Sequence, residues 1–581
     1  MTGLGRQCCP YLLCNVVCPT TASWQALVEV WLLVRALAPW KETLSSSHMI
    51  STILNINVGV LGHVDSGKTS LAKALSTTAS TACFDKNPQS KERGITIDLG
   101  FSSFQMGMPD HLLDKTSCNT LQFTLVDCPG HASLIRTIIG GSQIIDMFIL
   151  VLDVTKGMQT QTAECLVIGE ITCNKLIVVL NKTDMLPEDK KKTAIEKMAK
   201  KMKATLQNTV FKTAEVVAVS ANPGGQETES PAPVGLNDLL ECLRKSAFVP
   251  ERDESAPFVF SVDHCFGIRG QGTVMTGTVL QGAVKINDQV EIPAIKETRK
   301  VKSMQMFRQP VDKASQGDRL GICVTQFDPK LLERGLVSVP NYVPTIYAAI
   351  IKLNKIRFYQ ASIKTKAKFH LSIGHETVLG KVTLFQGTHE FELCQEFEFL
   401  EEIEPNLKED NVAQYALLEF EKPVTAVPNS LVIASKLDMD VHTSTCRLVF
   451  WGRLLKYYED KAYASANLPQ LKIFKNKSKS GVVERAPNSS SVIVKNMFKK
   501  ETNLLLFTNM KVKLSTGEEG TIEGGFGQSG KVKVNIPGGL LESTLESIQA
   551  KKDASTSRKP VEVSLNFKKF VYDMGKNMVQ K

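Results

Sequence analysis

The features this chain lacks narrow its class before any motif is read. The most apolar stretch, "WQALVEVWLLVRALAPW" near the N-terminus, is broken by Glu29 and Arg35. It therefore falls short of the run of about 20 apolar residues that a membrane-spanning helix needs. It also lacks the basic leading segment of a secretory signal. Cysteine is not scarce, at 14 in 581 residues, but no pair of C-x-x-C knuckles occurs. That argues against a disulfide scaffold and for reduced thiols in a cytosolic or nuclear protein. The basic C-terminal part carries no RNP or other base-reading motif, so sequence-specific base readout has no support there.

What is present is an ordinary globular composition, 43% hydrophobic and 22% charged. At this length the chain should divide into several domains. Residues 1–48 are Cys- and Trp-rich and unlike the rest, and they are set apart as an extension with no assigned role. The net charge of +10 is unevenly placed. From residue 466 onward there are 20 Lys and Arg against 10 Asp and Glu, leaving 49 against 49 elsewhere. A basic module on a neutral body suits a polyanion contact, RNA or ribosome, because neutralising phosphates supplies sequence-independent affinity.

"NINVGVLGHVDSGKTSLAKAL" reads as a buried strand, a Gly-rich turn and a helix, with Gly62 to Thr69 fitting G-x-x-x-x-G-K-[ST] in its required context. Backbone N–H groups of such a turn meet phosphate oxygens at a helix N-terminus. Gly62, Asp65, Ser66, Gly67, Lys68, Thr69 and Ser70 are the expected phosphate-side residues. Lys68 is expected to reach the β and γ phosphates, and the Thr69 hydroxyl to hold Mg²⁺. In "LVDCPGH", Asp127 is placed to reach the metal and Gly130 to face a γ-phosphate. "IVVLNKTD" supplies Asn181, Lys182 and Asp184, whose carboxylate matches the N1–H and 2-amino protons of guanine, so the base is G and the expected ligands are GTP and Mg²⁺. Ser220 and Ala221 in "VVAVSA" would lie beneath the base. All four motifs end strands, where ligands of α/β sheets bind. In the following helix Ile195, Met198, Met202 and Leu206 form one apolar stripe, and its lysines read as a solvated face.

Between the first two motifs, "SKERGITIDLGF" offers Thr96 as a hydroxyl that a γ-phosphate and Mg²⁺ would order, the usual form of a GTPase switch. R-G-I-T together with D-C-P-G-H resembles the translational GTPases, the elongation and initiation factors. That resemblance implies that His131 orients the attacking water, with Lys68 and Thr96 stabilising charge. Asp65 would assist through a monovalent ion or the water.

Past the linker "FVPERDESAPF" the period becomes alternating. The turn G-x-G-T-V-x-x-G from Gly270 to Gly277 resembles the second-domain barrel of those factors, and residues from 347 onward read as a further barrel. The expected architecture is multidomain: an α/β P-loop GTPase domain (49–253), two β-barrels (254–346 and 347–465) and a mostly β basic domain (466–581). The short segment between Lys68 and Thr96, the words "ERGITIDLGFSSF" and "TKGMQTQTAE", the lack of a zinc knuckle in the GTPase domain, and the basic extra module with "KSGVVERA", "FKKETN" and "STGEEGTIEGGFGQSGKVKVNIPGG" resemble the selenocysteine-specific elongation factors of animals, from about Asn55 to the C-terminus.

The resemblance implies a GTPase that carries selenocysteinyl-tRNA to ribosomes decoding UGA. It also implies partners at the selenocysteine insertion element RNA with its binding protein, no membrane, and a selenol pocket at Asp263, His264 and Arg319. A cationic pocket would favour an anionic selenolate over the neutral hydroxyl of seryl-tRNA, with Asp263 holding His264 protonated. The alternatives are a general aminoacyl- or initiator-tRNA GTPase and a GTP-dependent RNA-binding adaptor. In the last module "KVKVNI" alternates Lys531, Lys533 and Asn535 with Val532, Val534 and Ile536, one basic face and one core face. The expected location is the cytoplasm, with the basic stretch "AKKDASTSRKP" raising nuclear shuttling.

Overall fold

The computed structural model describes residues 53–79, 99–129, 135–224, 231–404, 412–438, 446–527, 530–549, 560–573, 575 and 578–580. The N-terminal extension, the Thr96 segment, Gly130 with His131, and the stretch 550–559 lie outside the described residues.

The first domain is a twisted sheet of strands β1 (Ile53–Gly62), β2 (Thr78–Ala79), β3 (Gly100–Gly107), β4 (Thr120–Asp127), β5 (Met147–Asp153), β6 (Leu176–Asn181) and β7 (Glu215–Ala218), in the order β2-β3-β4-β1-β5-β6-β7. The run β4-β1-β5-β6-β7 is parallel, and β3 pairs antiparallel with β4. Its helices include α1 (Lys68–Leu75), α2 (Ile135–Ser142), α3 (Thr160–Thr172), α4 (Lys191–Leu206) and α5 (Leu236–Ser246). Strand β5, "MFILVLD", shows why the central strands are apolar throughout. Phe148, Leu150 and Leu152 enter the core on one face, and Met147, Ile149 and Val151 enter the core on the other. Helix α4 buries Met202 and Leu206 and leaves most of its lysines outward.

With period 2 on both sides of it, β1 still carries Asn55 and Asn57, both buried, among its aliphatic residues. Parallel sheets place loops at strand ends, so the turn after β1, Asp127 at the end of β4 and Asn181 at the end of β6 converge on one edge.

The second domain is a barrel-like sheet with its own core of Phe260, Val262, Met275, Val290, Ile322 and Val337. Its strands Val259–Ile268 and Gly272–Gln281 pair with a register shift between Val262 and His264, a bulge at Asp263. Bulges re-aim the side chains beside them.

The third and fourth domains share a sheet. Strand Phe397–Leu400 runs parallel to strand Ile473–Asn488, with Phe397 opposite Ile473. A common core of Phe385, Phe397, Tyr415, Leu468, Leu471 and Ile473 joins them. The region around residue 465, where the fourth domain is expected to begin, is a packed seam, because the aromatic residues of one side complete the core of the other. In the last domain Val532, Val534 and Ile536 are buried as the alternation predicts. The outward lysines are each held by an acid, Lys531 by Glu484 and Lys533 by Glu523, both at 2.8 Å. Among the described residues, no helix is long and apolar enough to cross a membrane.

Candidate functional site

The turn after β1 is shaped by backbone conformations that few residues accept. Asp65 is left-handed at φ 61 and Gly67 at φ 86, and helix α1 begins immediately after Gly67. A Cβ on Gly67 would lie 2.2 Å from Asn181 Nδ2, and one on Gly62 2.2 Å from the Val151 carbonyl. Only glycine leaves the cradle open. Ser66 Oγ is buried there with no hydrogen-bond partner among the described residues, a donor that an anion's oxygen would satisfy. The Lys68 ammonium donates to the His63 carbonyl at 2.7 Å and is nearly buried. Burial pulls its pKa below the usual lysine value, with Asp127 opposing that shift. A desolvated ammonium held at the mouth of a Gly-rich turn is poised to pair with phosphate. Ser70 follows on α1, half-buried, and Asp65 is exposed.

Thr69 Oγ1 donates to Asp127 Oδ2 at 2.7 Å, joining the helix start to the end of β4. A hydroxyl and a buried carboxylate meeting at the phosphate turn are the hard oxygen donors that Mg²⁺ selects. The residues present therefore fit that ion.

On the base side, Asn181 does more than its motif suggests. Its Nδ2 donates to the Ser66 carbonyl at 2.9 Å, and its Oδ1 accepts from the Ala221 N–H at 3.1 Å. One buried amide thereby braces the phosphate turn against the loop after β7. Lys182 is left-handed at φ 64 and pairs with Asp153 at 2.9 Å. Burial raises the Asp153 pKa, but hydrogen bonds from Thr155 and the Lys182 ammonium outweigh it, and the net shift is downward. Asp184 is exposed and accepts from the Ser220 hydroxyl, while Ser220 itself is buried. The carboxylate is thus oriented from behind and open in front, as a base-reading group must be. Ala221 is buried beside it. The sequence-predicted residues from Gly62 to Ser70, Asp127, Asn181, Lys182, Asp184, Ser220 and Ala221 lie on this one edge; Thr96, Gly130 and His131 lie outside the described residues.

A second constellation lies in the barrel. Arg319, at the start of strand Arg319–Val324, is 4% exposed. Its Nη1 donates to Asp263 Oδ2 and, at 3.3 Å, to Thr278 Oγ1. Burial lowers the Arg319 pKa, and Asp263 acts against that shift. Nε and Nη2 are buried without hydrogen-bond partners among the described residues, as is the nearby Thr276 Oγ1. His264, half-buried on the bulged strand, sits opposite Thr276. The Asp263 carboxylate, expected beside His264, also pairs with the arginine. Phe101 of β3 also closes on the site, its ring centroid 3.1 Å from the guanidinium carbon.

Three groups lie outside the residues that the sequence motifs single out. Phe101 stands within "ERGITIDLGFSSF", but nothing in that stretch announces its contact with Arg319. Asp153 ends an apolar strand as Asp127 does, and that was a usable signal. Glu164 and Arg447 form a buried bidentate pair between α3 and the third domain, with Nε–Oε1 at 2.9 Å and Nη2–Oε2 at 2.7 Å. Nothing local announces a partner 283 residues away.

Comparison with known proteins places these geometries in a family context. Residues 54–248 match the model of the elongation factor Tu GTP binding domain, and residues 272–337 that of elongation factor Tu domain 2. Residues 350–452 match the third domain of eukaryotic selenocysteine-specific elongation factors, and residues 469–576 the eEFSec C-terminal RIFT domain. The chain is 53% identical over 578 residues to the selenocysteine-specific elongation factor of Mus musculus, covering 91% of this chain and 99% of that one. It is 34% identical to the factor of the same name from Methanocaldococcus jannaschii, covering 70% of this chain and 80% of that one. The crystal structure of elongation factor SelB from Methanococcus maripaludis in complex with the GTP analogue GppNHp superposes with a TM-score of 0.63 at 26% identity, covering 88% of this chain and 98% of that one.

Proposed function

The chain belongs to the family of selenocysteine-specific elongation factors, and from that premise we propose that it carries selenocysteinyl-tRNA, in its GTP-bound form, to ribosomes decoding UGA. It is a translational GTPase with a GTP-binding domain followed by β-barrel domains. Gly62, Asp65, Ser66, Gly67, Lys68 and Ser70 bind the phosphates, with Gly130 facing the γ-phosphate. Asp184 reads guanine, and Ser220 and Ala221 support the base. Thr69 and Asp127, joined by Thr96, hold Mg²⁺, which when bound supplies positive charge against the phosphate oxygens. His131 orients the attacking water, assisted by Asp65, and Lys68 stabilises charge on the phosphates.

The observation that carries the specificity is Arg319: a guanidinium almost wholly buried, paired with one carboxylate, with two nitrogens unsatisfied among the described residues. Leaving buried cationic donors unmade costs about 1–3 kcal/mol or more. A selenolate would satisfy them, with Asp263 and His264 completing the pocket, whereas a neutral hydroxyl would answer them less well. The fourth domain carries the contact with the selenocysteine insertion element RNA and its binding protein. Its basic excess supports that reading, as does an exposed patch of Leu505, Leu506 and Phe526 with Arg485 over the Phe526 ring. The factor works in the cytoplasm, and the stretch 550–560 keeps nuclear passage in view.

The test is His131→Ala, assayed for tRNA binding and for ribosome-stimulated GTP hydrolysis. A delivery enzyme keeps tRNA binding and loses hydrolysis. A GTP-dependent adaptor that merely scaffolds RNA would lose neither.

A further inference from the structure

Two asparagines in the middle of an apolar strand call for an explanation. Burying an amide without compensation costs about 1–3 kcal/mol on mutational scales, and β1 would pack more cheaply with aliphatic side chains at Asn55 and Asn57. Both amides instead aim at one atom. Asn55 Nδ2 and Asn57 Nδ2 donate to the Gly317 carbonyl at 2.9 and 2.8 Å. Their orientation is fixed from behind. Asn55 Oδ1 accepts from Thr124 Oγ1 at 2.6 Å and from Gln122 Nε2 at 3.2 Å, and Asn57 Oδ1 accepts from Asn55 Nδ2 at 3.1 Å.

Gly317 precedes Arg319 by two residues, and its surroundings leave it little freedom. It is left-handed at φ 90, and a Cβ there would lie 2.5 Å from the Arg252 guanidinium. Arg252 Nη2 is anchored on Asp146 Oδ2 at 2.6 Å, and the same oxygen accepts from the Asn57 N–H at 2.8 Å. The Gly317 N–H donates to the Val279 carbonyl at 2.9 Å, next to Thr278, the residue that Arg319 also touches.

We propose that Asn55 and Asn57 are positioning residues for the aminoacyl pocket: by holding the Gly317 carbonyl they set where Arg319 begins its strand, and they register the pocket arginine to the strand that ends in the phosphate turn. This rests on the reading of Arg319 as the selenol-binding group. A buried pocket cation is useful only if its position is held to a few tenths of an ångström, and loops do not supply that precision. The barrel's own ladder fixes Arg319 on one side, opposite Thr278. The asparagines fix it on the other, from a different domain.

The experiment measures the affinities of selenocysteinyl-tRNA and seryl-tRNA, on the same tRNA body, for the full-length protein saturated with GTP, in wild type, Asn57→Ala and Asn55→Ala. A positioning role predicts that the selenocysteinyl affinity falls about tenfold while the seryl affinity and the GTP affinity hold within about twofold. A merely structural role would lower both tRNA affinities together and leave their ratio intact, and that result overturns the proposal. Should either asparagine variant fold poorly, Arg252→Lys removes the guanidinium beside Gly317 from outside the strand. It is expected to reduce the same ratio about threefold, and an unchanged ratio again overturns the inference. If wild type itself fails to distinguish the two tRNAs, the Arg319 reading is what has failed, and the positioning role falls with it.

Discussion

Replacing Asn181 with alanine should separate bracing of the nucleotide site from contact with the nucleotide. The side chain is buried and makes two bonds to backbone, one to the Ser66 carbonyl and one from the Ala221 N–H. Truncation leaves both backbone groups without that partner in a buried place, at about 1–3 kcal/mol each. Both groups are unpaired with or without nucleotide, so this cost of about 3 kcal/mol after partial relief by water falls on folding stability, while displacement of the Ser66 turn should weaken nucleotide binding about tenfold. Neither bond involves the switch segments, so GTP and GDP should weaken equally. The assay is calorimetric or fluorescence titration with both nucleotides, alongside a thermal melt. Gly67→Ala should reproduce the effect, because its Cβ would displace the same amide at 2.2 Å. A dissociation constant within about threefold of wild type, in a variant with a wild-type melt, would refute the bracing argument. So would a loss confined to GTP.

Three further outcomes follow from the same structure. Breaking the buried Glu164–Arg447 pair by Glu164→Ala should cost about 3–5 kcal/mol in denaturant unfolding, whereas replacing both partners with leucine and methionine should recover most of it. Asp318 is pushed up to about 6 by burial, from an ordinary carboxylate value of 3.8. Its raised folded value means that the stabilising contribution is full below about pH 4 and is lost as pH rises through 6. Asp318→Asn should flatten the melting temperature across that window and raise it at pH 7. Deleting the Thr69 hydroxyl by Thr69→Ala should weaken Mg²⁺-dependent GTP binding far more than binding measured in chelator, since the hydroxyl faces Asp127 at 2.7 Å.

The nucleotide edge was legible because each of its motifs is local. A Gly-rich turn needs left-handed residues at fixed offsets, and a parallel sheet delivers strand ends to one side regardless of what lies between. The residues from Gly62 to Thr69, and Asn181 and Asp184, could therefore be read in order along the chain. The alternation at Val532, Val534 and Ile536 was legible for the same reason, but the glutamates that hold Lys531 and Lys533 were not, because cross-strand partners depend on register. The pairing of Asp263 with Arg319 depends on a bulge that no propensity announces. The shared core around Phe397 and Ile473 depends on two strands meeting in parallel across a domain boundary. Asn55 and Asn57 were visible as exceptions in an apolar strand, yet their meaning appears only once Gly317 is seen beside them.

A selenol pocket built on Arg319 should protect one aminoacyl ester and not its close neighbour. The direct measurement is the hydrolysis rate of the aminoacyl ester at GTP saturation, with the same selenocysteine tRNA charged with selenocysteine or with serine. Strong protection of the selenocysteinyl form alone, abolished by Arg319→Ala, is the expected result. Equal protection of both esters, or protection that survives Arg319→Ala, would contradict a selenol pocket at Arg319.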